Sequence, residues 1–334
     1  MPIAEPNAEV ALEPGLPICD AHHHLWERAP NRYLLEDFLN DLGAGHNIVC
    51  TVAVECGYGY RKHGPDSLKP VGETEFLDSI AERVAAGSYS RTRIAAGIVG
   101  FADLTLGDAV APVLEAHLAV SPKRFRGIRH STTWDGSGAL RNEAAPGLLG
   151  DGEFRRGFAQ LGRLGLSFDA WVYHPQLNEV AALARAFPDV TIVLNHIGAP
   201  LGAGPYAGKK DEVFKVWSQG IAAVAGCPNV VIKLGGAGSE RSGYDWHLRS
   251  VKPSAEELGA ILKPYFEWCI EKFGVERRLF ESNFPVEKRA NSYVVVWNAF
   301  KKITQNYSAA DRAALFHDTA CRVYRIGPPA SPAP

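Results

Sequence analysis

Apolar runs of strand length alternate with amphipathic stretches of helix length along most of the chain, and this alternation predicts repeated βαβ units around a parallel sheet. Eight strands are expected, over residues 16–24, 47–55, 93–100, 124–130, 167–174, 189–196, 229–235 and 278–284. Several of their centres, such as Val49 to Val54, Val190 to Leu194 and Val230 to Ile232, are almost continuously apolar, as strands covered on both faces must be. Helical periodicity fills residues 73–87, 107–119, 151–164, 176–186, 211–226, 254–274, 291–305 and 309–321. Eight strand–helix pairs predict a closed TIM (β/α)8 barrel. A doubly wound open sheet would use fewer strands, and no G-x-G-x-x-G follows the first strand.

The loops after strands 2, 4, 6 and 7 are long, covering 57–63, 130–150, 198–210 and 235–253, whereas the return Phe187-Pro188-Asp189 is tight. Elaboration therefore falls on the face where barrels carry their chemistry. A chain of 334 residues suits one barrel with enlarged loops, over 1–326, followed by a Pro-rich flexible tail over 327–334.

Composition narrows the function classes. A formal net charge of -2 and the lack of a Lys/Arg block argue against a nucleic-acid partner. No run of 18 or more apolar residues is present, so no membrane span is expected, and the acidic first residues do not read as a secretion signal. Cys19, Cys50, Cys56, Cys227, Cys269 and Cys321 form no C-x-x-C pair, which points to scattered buried thiols in a reducing cytoplasm rather than a zinc ribbon. A small-molecule substrate is the expected partner, with self-association left open.

Candidate chemistry gathers at the strand ends. In Asp20-Ala21-His22-His23-His24 strand parity turns His22 and His24 to one side and His23 to the other, so two imidazoles converge in the barrel mouth. Two nitrogen donors suit one divalent metal, with zinc the first choice. His174, His196 and Asn283 end strands 5, 6 and 8, and polar groups buried at such a rim are costly unless they are bonded or used.

Taken together, Ile18-Cys19-Asp20-Ala21-His22-His23-His24-Leu25-Trp26, Arg126-Gly127-Ile128-Arg129-His130, Asn195-His196-Ile197-Gly198-Ala199-Pro200 and Asn283-Phe284-Pro285-Val286 resemble the amidohydrolase-related family, particularly its lactone hydrolase branch. The resemblance implies that His22, His24 and His174 bind metal or substrate, with His196 alongside. It also implies an aspartate at position 283, where this chain has Asn283, an amide that cannot serve as a general base. The strand-4 lysine that bridges two metals in parts of the superfamily is lacking too, so one ion or none is implied.

The missing carboxylate turns attention to Glu281, which shares strand parity with Asn283, and to Glu55 at the end of strand 2. Either could be the base or a ligand, and either could be tied up in an ion pair, for Glu281 with Lys233. His196 is a third candidate base. Arg129 could hold a substrate carboxylate through its planar fork or pair with a rim acid. His130, Tyr58 and Trp134 complete the expected substrate contacts, alongside His174 and Asn283. The leading expectation is a hydrolase that opens a small lactone. The rivals are a metal-dependent decarboxylase of an aromatic or unsaturated acid and a catalytically idle binding barrel.

Overall fold

The computed structural model describes residues 9–87 and 90–328; the end of the expected tail, 329–334, lies outside them. Eight strands form one parallel sheet in sequential order: β1 (Pro17–His23), β2 (Asn47–Val54), β3 (Arg93–Gly100), β4 (Phe125–Ile128), β5 (Ser167–Ala170), β6 (Ile192–Leu194), β7 (Val230–Leu234) and β8 (Arg278–Phe280). The ring closes just beyond β8, where His23 bridges Phe284, the His24 N–H donates to Phe284 O at 2.8 Å and the Asn283 N–H donates to His22 O at 2.9 Å. The chain is therefore a TIM barrel.

A helix follows every strand: α1 (Leu35–Leu42), α2 (Val71–Ala86), α3 (Ala111–Val120), α4 (Gly152–Arg163), α5 (Leu177–Ala186), α6 (Lys210–Ala225), α7 (Ala255–Phe273) and α8 (Tyr293–Ile303). Eight pairs were expected, but one expected member was wrong. α1 is only eight residues long, too short to stand out by period, although it buries Leu35, Phe38 and Leu42 along one stripe. The segment expected over 309–321 is an additional helical piece, Ala309–Val323 with a π turn at Ala314–Asp318, outside the eight-fold repeat. A small hairpin, Trp26–Arg28 with Asn31–Tyr33, was also not foreseen.

Side chains sort by strand parity into two apolar clusters. Cys19, Ala21, Cys50, Val52, Val54, Val99, Val193, Val231 and Leu279 fill the barrel, joined by Ala320, Tyr324 and Ile326 from the C-terminal segment. Their neighbours Ile18, Ile48, Ile98, Ile128, Phe168, Ile192, Ile232 and Phe280 pack against the helices. β1 breaks this rule near its end, where its register against β2, already shifted between Ile18 and Cys19, shifts again between Asp20 and His23. After this bulge His23 stacks on Phe38 of α1 at 4.2 Å and bonds Thr51, while His22 and His24 face the mouth.

Candidate active site

β5 stops at Ala170, β6 at Leu194 and β8 at Phe280, each short of the end that hydrophobicity implied, and the residues just beyond these strand ends build the site. His196 has φ 53° and Asn283 φ 55°, left-handed backbone that ends a strand and turns a side chain out of strand parity.

Glu281, fully buried just past β8, is the centre. Its Oε1 accepts from His196 Nδ1 at 2.6 Å and from the His196 backbone N–H at 3.0 Å. Its Oε2 lies 2.9 Å from His22 Nδ1 but is not aligned as a hydrogen bond and has no other partner among the described residues. Burial pushes the Glu281 carboxyl up to about 7. The same burial, aided by nearby cations, holds His22, His24 and His196 well below the usual imidazole value, so all three rings are neutral. With Nδ1–H of His196 committed to Glu281, Nε2 carries the free lone pair. That ring stands edge-on to Trp171 at 4.8 Å.

His24 Nδ1–H donates to Val54 O at 2.8 Å, which leaves its Nε2 as an acceptor 3.1 Å from His22 Nε2. Lys233 Nζ stands 3.2 Å from His22 Nδ1 and 2.7 Å from Asp169 Oδ2. One tautomer assignment satisfies the row: Lys233 donates to His22 Nδ1, His22 Nε2–H to His24 Nε2 and His24 Nδ1–H to Val54 O. Lys233 thus pairs with Asp169, on β5, rather than with Glu281. Asn195 and Tyr324 also donate to Asp169, which lies fully buried at the centre of the barrel.

Arg129 is less free than a substrate clamp requires. Its Nε donates to Glu55 Oε1 at 2.6 Å and its Nη2 to Glu55 O at 2.7 Å, leaving Nη1 beside His22 Nε2 at 3.3 Å. Glu55 is therefore held in an ion pair with Arg129. Asn283 Nδ2 points at Glu287 Oε1, 3.5 Å away. Burial raises Glu287 to about 7, and an aspartate at 283 would set a second carboxylate against it. The amide suits this neighbour.

Three expected contacts lie elsewhere. His174 comes four residues after β5 ends, on a short helical turn where its Nδ1 accepts from the Leu201 N–H and its ring meets Tyr206, so it does not join His22 and His24. His130 turns to the helix layer, where it accepts from the Leu104 N–H and packs on Phe101 and Phe154. Tyr58 packs on Phe76 of α2, and its loop is held by Glu73, which takes the N–H groups of Cys56, Gly57 and Tyr58. Trp134 donates its backbone N–H to Gln176 beside the same rim.

A cleft of about 540 Å³ opens over Trp171, lined also by Tyr173, Arg241, Glu143 and Arg289. Arg241 stacks 4.4 Å over the Trp171 ring and donates to Gly236 O. Tyr173, Arg241, Glu143 and Arg289 carried no signal in the sequence. Gly235 and Gly236 follow β7 against the site: a Cβ on Gly236, at φ +65°, would collide with His196 Nδ1. Gly236→Ala should push the imidazole off Glu281 and lower kcat about 100-fold; a variant with unchanged kcat would show that this ring position is not needed.

Residues 19–326 match the amidohydrolase family. This chain belongs to the amidohydrolase family. It is 35% identical to the uncharacterized protein y4mH of Sinorhizobium fredii, over 92% of this chain and 98% of that protein. It is 30% identical to an L-fucono-1,5-lactonase of Burkholderia multivorans, over 93% and 97%. A crystal structure of a Burkholderia multivorans amidohydrolase with bound zinc superposes with a TM-score of 0.70 at 27% identity, covering 92% of this chain and 99% of that one. Among the described residues of this amidohydrolase no helix is long and apolar enough to cross a membrane.

In this family member the nitrogen pair of His22 and His24, 3.1 Å apart, fits two positions of a divalent ion's shell at about 2.0–2.1 Å each. His174 is elsewhere, but His22 also belongs to a second group with His196 and Glu281, one ligand atom of each lying within 4.8 Å of the others. The Arg129 guanidinium, 3.3 Å from His22 Nε2, weakens any cation held there.

Proposed function

We propose that this amidohydrolase hydrolyses a small cyclic ester, a sugar 1,5-lactone, with His196 as the base and Glu281 as its partner. The observation that carries the reading is the Nδ1–Oε1 contact of 2.6 Å between them, beside Arg129 and His22. Support from outside the site comes from the L-fucono-1,5-lactonases of Burkholderia multivorans and Burkholderia ambifaria, 30% and 28% identical.

A lactone carbonyl placed in the mouth meets Arg129 Nη1, which donates to the oxygen as it becomes an oxyanion. Water attacks the carbonyl carbon and gives its proton to His196 Nε2. Glu281 holds Nδ1–H throughout, so its carboxylate faces the imidazolium that forms. Collapse breaks the ring C–O bond, His196 returns the proton to the alkoxide, and a hydroxy acid leaves.

A second reading adds a metal, favoured by the zinc in the related crystal structure. A divalent ion, zinc first, would be held by His22 and His24 and would polarise the carbonyl as a Lewis acid. His22, His196 and Glu281 are the other set that could hold it. Dialysis against a chelator tests this reading: activity lost with the ion and restored by zinc supports it, and full activity of the stripped protein contradicts it.

The test is a panel of sugar lactones followed by acid release, with CO2 measured on aromatic and unsaturated acids. Acid release that exceeds the spontaneous rate supports the proposal. CO2 release would point to decarboxylation, and binding without turnover to an idle barrel.

A further inference from the structure

At the other end of the barrel from His22 and His24, three cysteines far apart in sequence meet. Cys19 on β1 and Cys50 on β2 are direct partners in the strand ladder. Cys321 comes from the C-terminal helical segment that packs under them. The three Sγ atoms all lie within 4.8 Å of one another, with Cys50 and Cys321 3.7 Å apart. His317 stands four residues before Cys321, hence on the same helix face, and its Nε2 is 3.4 Å from Cys321 Sγ.

We propose that Cys19, Cys50, Cys321 and His317 form a closed tetrahedral site for a thiophilic divalent ion, zinc first, which fastens the C-terminal segment to the barrel floor.

Ligands of tetrahedral zinc, at ~2.3 Å for sulfur and ~2.0–2.1 Å for nitrogen, stand about 3.4–3.8 Å apart. The Cys50–Cys321 and Cys321–His317 distances already fall there, and the set closes when Cys19, within 4.8 Å of both other thiols, and His317 swing toward the centre. Asp318 Oδ1 lies 2.8 Å from His317 Nδ1, so that nitrogen carries the proton and Nε2 offers its lone pair to the thiols. A carboxylate behind a histidine is the usual support of a zinc ligand. The π turn at Ala314–Asp318 sets His317 and Asp318 in this position, and such turns recur at functional sites. A Cys50–Cys321 disulfide is the rival use of these residues, but it leaves both Cys19 and the His317–Asp318 pair without a part. Four protein ligands leave no open position, so the site is structural and separate from the lactone chemistry.

The test uses the full reduced chain with cobalt(II), whose thiolate complexes show a near-ultraviolet charge-transfer band that imidazole ligands alone do not give. The expected result is one equivalent with that band in the wild type and in the His22→Ala/His24→Ala variant, displaced by zinc. The band should vanish in Cys50→Ser/Cys321→Ser. Because those buried changes can impair folding, Asp318→Asn supplies an independent check: a folded variant with metal affinity lowered about tenfold or more. Stripping the ion from the wild type should lower Tm by several degrees. No thiolate band in the reduced wild type overturns the proposal. So does an affinity unaffected by Asp318→Asn, or a Cys50–Cys321 disulfide with no metal uptake once it is reduced.

Discussion

Replacing His196 with alanine is expected to lower kcat for lactone opening about 1,000-fold, with Glu281→Gln costing nearly as much. The two losses should not add. His196 supplies the lone pair that takes the proton of water, and Glu281 fixes its tautomer through the 2.6 Å contact and faces the charge that develops. Once one is gone the other has no catalytic partner, so the double variant should stay within a few-fold of His196→Ala. Steady-state rates on the best lactone measure this directly; full additivity would mean that the two residues act separately. KM should change little, because Glu281 is fully buried and cannot touch the substrate.

The second large effect concerns stability. Lys233→Met removes the cation facing Asp169, and both side chains are fully buried. A buried carboxylate left without its counter-charge costs about 3 kcal/mol, the lower end for such pairs, since Asn195 and Tyr324 still donate to Asp169. Denaturant titration should show that loss. Lys233→Met/Asp169→Asn should recover much of it, because no net charge is then buried. A single variant as stable as the wild type would contradict the ion pair's role. Activity should also fall, as His22 loses the donor at its Nδ1.

How far these residues were readable in the sequence depended on where each strand ends. His22 and His24 could be read because parity at the end of β1 places them together, and the bulge after Asp20 leaves their mutual spacing intact. Glu281 was readable for the same reason, one residue beyond β8. His174 was not: β5 stops at Ala170, and parity counted four residues beyond a strand's end has no meaning. Asp169 was hidden inside an apolar run, since only its neighbours across the barrel reveal the charge that answers it. Arg241 and the two glycines after β7 lie in a long loop whose path composition does not encode, and Glu287 lies on a short helical turn after β8. The α1 helix escaped because eight residues hold too few turns to show a period. The cysteines gave no local signal at all, as three distant segments must fold before they meet.

The most direct test of the account is the pH dependence of kcat/KM on a sugar lactone, corrected for spontaneous hydrolysis, for the wild type and Glu281→Gln. Burial raises the Glu281 carboxyl to about 7. Below that pH the proton sits on the carboxyl, the anion that faces His196 is lost and catalysis fails. The wild-type constant should therefore climb with pH through a midpoint near 7, and Glu281→Gln should be slow with no such limb. A wild-type constant that stays flat over roughly pH 6 to 8, or the same rising limb in both proteins, would contradict the assignment of His196 and Glu281 as the base pair of this barrel.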